Sequence, residues 1–292
     1  MPSSSAPRRA LAPRGRTRRG DAVGERARGR PRSRRPVAAS IASTTTANAY
    51  VRVNAVTYAP AGSGATVIER ATVALAKRGL HLVVGRSGSG KSTLLALLAG
   101  LAEPTSGTIA IGDADASTSA AGRRARVGMV FQFPERHFLG RTALEELTFG
   151  WPANARAFAT RRTLAVAMNA ALRAVGMADV ALDTEVRTLS GGYKRRLALA
   201  IQLARDPEVL CLDEPLAGLD WRARAEITAV LNDLKRDRCV VVVSHDVEEI
   251  SPIADAAFRM GPLGRLEDVS DELAGARARA FGAASDEFAA FD

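Results

Sequence analysis

The stretch "HLVVGRSGSGKSTLLALLAGL", residues 81–101, decides the fold. A short apolar run, His81 to Val84, has the length and β-branched content of a buried strand. It breaks at Gly85-Arg86-Ser87-Gly88-Ser89-Gly90-Lys91-Ser92-Thr93, and a leucine-rich stretch too long for a strand follows. Glycines at this spacing let consecutive backbone N–H groups close around phosphate oxygens, and a following helix points its positive end at them. Lys91 then neutralises the β- and γ-phosphates, and the Ser92 hydroxyl is placed to bind Mg²⁺. Strand, loop and helix in that order make this a nucleotide-binding loop rather than a glycine-rich turn. The leucines of 94–98 cover most faces of the helix, which predicts a buried one.

Three more apolar runs end in the same way. "VGMVF" (127–131) is followed by Gln132, "VLCL" (209–212) by Asp213 and Glu214, and "VVVV" (240–243) by Ser244, His245 and Asp246. Continuous apolar strands alternating with helical stretches, such as 222–237 with Ile227, Val230, Leu231 and Leu234 at helical spacing, predict a parallel sheet covered on both faces. Ligands of such sheets bind beyond the carboxyl ends of the strands, where these four elements deliver their polar residues. Asp213 suits the metal partner of a phosphate-loop NTPase. Glu214, at the end of an apolar strand, suits a general base acting on water. Gln132 and His245 become candidates for placing that water and sensing the γ-phosphate.

The stretch "LSGGYKRR" (189–196) breaks a local rule. Ser190, Gly191 and Gly192 read as a helix start, yet Lys194, Arg195 and Arg196 put cations where the macrodipole is already positive. An anion facing this turn would resolve the conflict, although the phosphate loop lies far upstream.

These motifs together resemble the ATP-binding cassette (ABC) ATPases over about residues 48–264. The phosphate loop, the Q-loop glutamine in "VFQFPE", the signature "LSGGYKRR", "VLCLDEP", the D-loop "AGLD" (217–220) and the switch histidine in "VVVVSHD" follow in family order. The resemblance implies an α/β fold: a P-loop NTPase with a RecA-like core, an antiparallel β region near 48–79, and an ABC helical subdomain over about 133–195. Within that subdomain Leu164, Met168, Leu172 and Val175 are expected along one helix face. It also implies ATP and Mg²⁺ as cofactors, with Ser92, Gln132 and Asp213 toward the metal, and Glu214, His245, Gln132 and Lys91 as catalytic groups. Tyr58, in "AVTYAP", matches the adenine-stacking aromatic. Tyr193 departs from the family's usual glutamine. Because cassettes pair head to tail, Ser190, Gly191 and Gly192 are expected to face ATP held by a second ABC subunit.

A narrower resemblance, carried by "VFQFPERHFLGRTALEELTFGWP" (130–152) and residues 189–215, is to the ATPase subunits of energy-coupling-factor importers, and to their plastid relatives in particular. It implies an integral membrane permease as partner, with Phe133, Pro134 and Phe138 at the docking position or in local core. The alternative is a soluble non-transport ABC ATPase, such as an iron–sulfur cluster assembly factor.

Composition bounds these readings. Residues 1–47 carry twelve arginines, no lysine and two acids, which accounts for the whole net charge of +10; the rest holds 29 bases and 29 acids. An Arg- and Ser/Thr-rich, acid-poor leader has transit-peptide composition; the alternative is a basic nucleic-acid-binding arm. A charge-neutral body with one cassette disfavours nucleic acid as a partner, and the plastid resemblance directs the leader to a chloroplast, with the cassette peripheral on an organelle membrane. The expected organisation is thus a leader over 1–47, an ATPase domain over 48–264 and a tail over 265–292. Cys211 and Cys239, within or beside apolar strands, read as buried inert thiols. The three histidines, His81, His137 and His245, are too scattered for a metal site.

Overall fold

The central strand of the molecule is β7 (Cys239–Val243), and all five of its residues are buried. Side chains alternate across a sheet, so Val240 and Val242 enter one core while Cys239, Val241 and Val243 enter another. A four-valine run is therefore a strand covered twice, as its composition requires. The computed structural model describes residues 49–62, 64–112, 117–151, 158–245 and 247–272. The leader expected over 1–47 lies outside these residues, as do Asp246 and most of the tail.

Around β7 runs a six-stranded sheet. Its order is β5 (Val127–Val130), β6 (Val209–Asp213), β7, β3 (Gly79–Val84), β8 (Ala256–Met260) and β9 (Leu266–Asp268). Every pairing is parallel except β8 with β9. On one face lies α1 (Lys91–Leu98), with Leu94, Leu95, Leu97 and Leu98 buried, and a short α2 (Ala120–Arg126) leads directly into β5. A three-stranded antiparallel sheet packs into the same core: β2 (Ile68–Ala76), β1 (Ala49–Tyr58) and β4 (Ser106–Ile111). On the other face lie α3 (Ala143–Leu147), α4 (Phe158–Ala174), α5 (Gly191–Leu203) and α6 (Trp221–Leu234), which share a core with Leu80, Leu82, Leu210, Leu212, Val240 and Val242. Along α4 the expected face is present: Met168 and Leu172, with Val175 just beyond, are buried, and Leu164 is half-buried. On α6, Asp220 caps the start by accepting from the Ala223 N–H at 2.8 Å, and Ile227, Leu231 and Leu234 turn inward.

This is the α/β architecture of P-loop NTPases with an added antiparallel sheet. The antiparallel region extends beyond 48–79, because its third strand is β4. The half of β4 that begins Ser106-Gly107-Thr108 is polar and exposed, which hid it from an apolar pattern. The sheet likewise runs past residue 264. The strand Leu266–Asp268 pairs with β8, and Val269 is buried against the core, although only Leu266 in the strand is apolar. The boundary drawn at 195 falls inside α5, whose first turn is the 190–196 motif.

Two buried thiols and one buried imidazole sit within the sheet. Burial pushes the Cys239 thiol up to about 12 and the Cys211 thiol higher still, so neither is a nucleophile at neutral pH. His81 on β3 is 3% exposed; Nε2 lies 3.3 Å from the Ala76 carbonyl and Nδ1 has no hydrogen-bond partner. Burial holds its pKa below 6.5, against the opposing effects of the Ala76 carbonyl and Asp255. The folded state thus favours the neutral ring. Stability is complete above pH 6.5 and falls as pH drops below it, where the unfolded chain takes up the proton first. The limit is about 1.4 kcal/mol per pH unit. Melting temperatures between pH 8 and 5.5 should show this loss, and His81→Gln should reduce it; an unchanged slope in the variant contradicts the assignment.

Candidate functional site

The site forms where β3, β6 and β7 end side by side. After Val84 the chain turns at Gly85, where a Cβ would lie 2.4 Å from the Met260 carbonyl oxygen, so only glycine fits. Gly88 and Gly90 take φ of 78° and 101°, open to glycine at little cost. Gly90 also abuts Ile68, with 3.2 Å between its ideal Cβ and Ile68 Cγ1. α1 starts there with no side-chain cap and no acid in its first turn. Its leading N–H groups, at Lys91, Ser92 and Thr93, lack intrahelical partners and are available to an anion. Arg86, Ser87 and Gly88 are exposed at the loop's crest. Ser89 is buried, and its hydroxyl has no partner. Lys91 Nζ bends back over the loop and donates to the Gly85 and Arg86 carbonyls at 2.8 and 2.9 Å. The ammonium is therefore held within the loop and can exchange backbone oxygens for phosphate oxygens.

Asp213, the last residue of β6, lies beside the Ser92 hydroxyl. Burial raises its pKa, with Ser92 opposing and the Glu214 charge assisting. A carboxylate at 9% exposure, beside a hydroxyl and a second carboxylate and with the Lys91 charge near by, has the oxygen donors of a hard divalent cation, so Mg²⁺ fits here. Glu214 follows at φ 47°, a left-handed conformation that is costly for a residue with a Cβ, by about 1–3 kcal/mol. The strain is fixed by its N–H, which donates to the Val243 carbonyl at 2.8 Å. The carboxylate is thereby placed at the end of β7, where Oε2 accepts from Ser244 Oγ and the His245 N–H, both at 3.2 Å, and lies 2.8 Å from His245 Nδ1. Ser244 itself is fully buried. A strained, buried carboxylate gripped by a hydroxyl, an amide and an imidazole next to a phosphate loop is arranged to take a proton from water.

The structure thus brings Lys91, Ser92, Asp213, Glu214 and His245 together. Gln132 and Tyr58 flank this group. Gln132 follows β5, three strand positions from β3, or about 14 Å at ordinary strand spacing. Tyr58 is half-buried at the end of β1, paired with the same Ile68 that touches Gly90.

Ser190 is the N-cap of α5, accepting from the Tyr193 N–H at 3.4 Å, and it is exposed with Gly191. Atoms nearest to an added Cβ at Gly191 and Gly192 belong to Leu219 and Ala223, so this turn packs on the D-loop and the start of α6. Two of its three cations find partners within the chain, so the cations by themselves do not call for an external anion. Arg195 is buried on backbone carbonyls, and Arg196 pairs with Glu226 while lying over the Tyr193 ring. The remaining case for a phosphate at this turn is its exposed N-terminus and missing side chains.

Two residues escaped the sequence reading. Ser244 was visible as a strand-end polar group, but nothing in one chain marks it as a partner of Glu214. Arg195 reads in the sequence as a first-turn cation facing an anion; its spacing to Leu199 and Leu203, both buried, places it on the inner face of α5 and is the signal for its burial.

Comparison with known proteins agrees with this geometry. Residues 68–217 match the family model described as ABC transporter. "ABC transporter I family member 11, chloroplastic" of Arabidopsis thaliana is 44% identical, with the match covering 74% of this chain and 80% of that protein. "Energy-coupling factor transporter ATP-binding protein EcfA2" of Bacillus subtilis (strain 168) is 40% identical over 61% of this chain and 66% of its own length, just under two thirds. The structure of CbiO1 from Clostridium perfringens, titled part of the ABC transporter complex CbiONQ, superposes with a TM-score of 0.67 over 80% of this chain and 93% of that one. At 24% identity, it speaks to the fold. The dimeric structure of the ATP-binding cassette MJ0796 in a post-hydrolysis state with ADP and Pi gives 0.60 at 26% identity, over 74% and 96% of the two chains.

Proposed function

Because the chain belongs to the ABC transporter family, as an ATP-binding and ATP-hydrolysing member, we propose that it is the ATPase subunit that energises a separate membrane permease by closing on a second cassette around ATP. The observation that carries the ATPase chemistry is Glu214, strained and hydrogen-bonded between Ser244 and His245 at the edge of the phosphate loop. Lys91 and the N–H groups of 88–93 bind the phosphates. Asp213 and Ser92 would hold Mg²⁺, which would supply charge neutralisation on the phosphates. Glu214 accepts the proton of the attacking water, His245 holds the Glu214 carboxylate in place, and Gln132 orients the water and would contribute to holding the metal. Tyr58 stacks on the adenine. Ser190, Gly191 and Gly192 complete the site from the opposite subunit, a copy of this chain or another cassette; that MJ0796 is dimeric supports pairing as such.

Transport is supported by the relatives' names and by the segment after Gln132. Phe133, Leu139, Leu144 and Phe149 are exposed at 39%, 71%, 41% and 65%, a density of apolar side chains that suits a protein partner. Among the described residues no helix is long and apolar enough to cross a membrane. The Arabidopsis relative and the arginine-rich leader support a chloroplast location, peripheral on the envelope or thylakoid membrane. Affinity capture from chloroplast membranes tests this. A polytopic protein recovered in fixed ratio, and lost when Phe133, Leu139 and Phe149 are changed to Ser while ATPase activity persists, supports the permease reading. Recovery of soluble iron–sulfur assembly proteins instead favours a non-transport ATPase.

A further inference from the structure

Three loops with proposed roles come from separate elements of this chain. Gln132 from the end of β5 and residues 214–220 from the end of β6 serve its own ATP; the 190–192 turn from the start of α5 serves the opposite subunit's ATP. One side chain joins them. Arg195 is the fifth residue of α5 and is 4% exposed. Its Nη1 donates to the carbonyls of Phe131 and Gln132 at 3.0 and 2.6 Å, and Nη2 donates to the Ala217 carbonyl at 3.3 Å. Nε is buried with no acceptor. An apolar residue here would continue the face of Leu199 and Leu203 without removing a cation from water, so local packing alone gives no reason for a guanidinium. A planar fork does give one. It fixes two carbonyl directions on two loops at once, which a point-charge ammonium cannot reproduce.

We propose that Arg195 is a positioning residue that ties the Gln132 loop, the loop after Glu214 and the signature turn into one unit, so that a displacement of the Gln132 loop reaches Ser190 and Asp220. The proposal rests on the role given to Gln132 above. A pure packing role predicts a different result from a coupling role in a double-mutant cycle on kcat. Arg195→Met is expected to lower kcat by about tenfold or more while KM for ATP stays within about twofold, because the phosphate loop is carried by β3, beyond β6 and β7. The Arg195→Met, Gln132→Ala double variant should be no more than about twofold slower than the worse single variant, since both break one route. Arg195→Lys should fall between wild type and Arg195→Met, and it takes the place of Met in the cycle if Met does not yield folded protein. Multiplying losses in the double variant, or a KM rise that tracks a lowered melting temperature, overturns the coupling and leaves Arg195 structural. A Gln132→Ala enzyme with normal kcat removes the premise itself, and the proposal with it.

Discussion

Glu214→Gln is expected to keep binding MgATP while hydrolysing it at least about a hundredfold more slowly. Glutamine preserves the size of the side chain and its place at the end of β6, and its carbonyl oxygen can still accept from Ser244 Oγ or the His245 N–H. What it cannot do is take a proton from water. The backbone strain at residue 214 is unchanged by the swap, because φ is set by the hydrogen bond to Val243 rather than by the side chain. Equilibrium binding of a labelled ATP and steady-state phosphate release on the same preparation separate the two effects. Turnover within a few-fold of wild type would remove Glu214 from the role of base, and lost binding would show that the carboxylate holds the site together instead.

Lys91→Ala is expected to fail at the earlier step, with ATP affinity reduced by about ten- to a hundredfold, the range for losing a hydrogen bond to a charged group. Nζ also ties the loop to itself through the Gly85 and Arg86 carbonyls, so part of the loss comes from a looser loop. Lys91→Arg separates the two causes: it keeps the charge but cannot adopt the same compact fold-back. If it binds as weakly as Lys91→Ala, loop geometry dominates over charge. Unchanged ATP affinity in Lys91→Ala would contradict the phosphate assignment.

The motif-bearing strand ends were legible because a doubly covered strand has an unmistakable pattern and an abrupt end. Val240–Val243, Val209–Leu212 and His81–Val84 all read as strands, and the residues beyond them lie together at the sheet edge. What stayed hidden was structure without apolar periodicity. β4 begins in exposed Ser, Gly and Thr and buries only Ile109, Ala110 and Ile111, too short an apolar run to stand out, and β9 is three residues long with two acids, held by backbone pairing that leaves no composition signal. The 190–196 turn shows the other limit. Its cations broke a rule about helix ends, and the rule rightly marked the place as unusual, but the chain itself supplies carbonyls for Arg195 and a carboxylate for Arg196. A single sequence shows that a charge needs a partner without showing whether the partner is near.

The central claim, that Ser190, Gly191 and Gly192 of one subunit act on ATP held by the other, is tested most directly by mixing two inactive variants. Lys91→Ala removes the phosphate countercharge, and Ser190→Arg places bulk and charge at the exposed turn. Each alone should be inactive. In a mixed dimer the Ser190→Arg chain still offers an intact phosphate loop and the Lys91→Ala chain an intact signature turn, which completes one site and leaves the other doubly damaged. Differentially tagged chains, with mixed dimers purified through both tags, should recover a measurable part of wild-type ATP hydrolysis, up to about half if the single complete site works independently. No recovery in verified mixed dimers would contradict the account, since a signature acting within its own chain leaves every site with its original lesion.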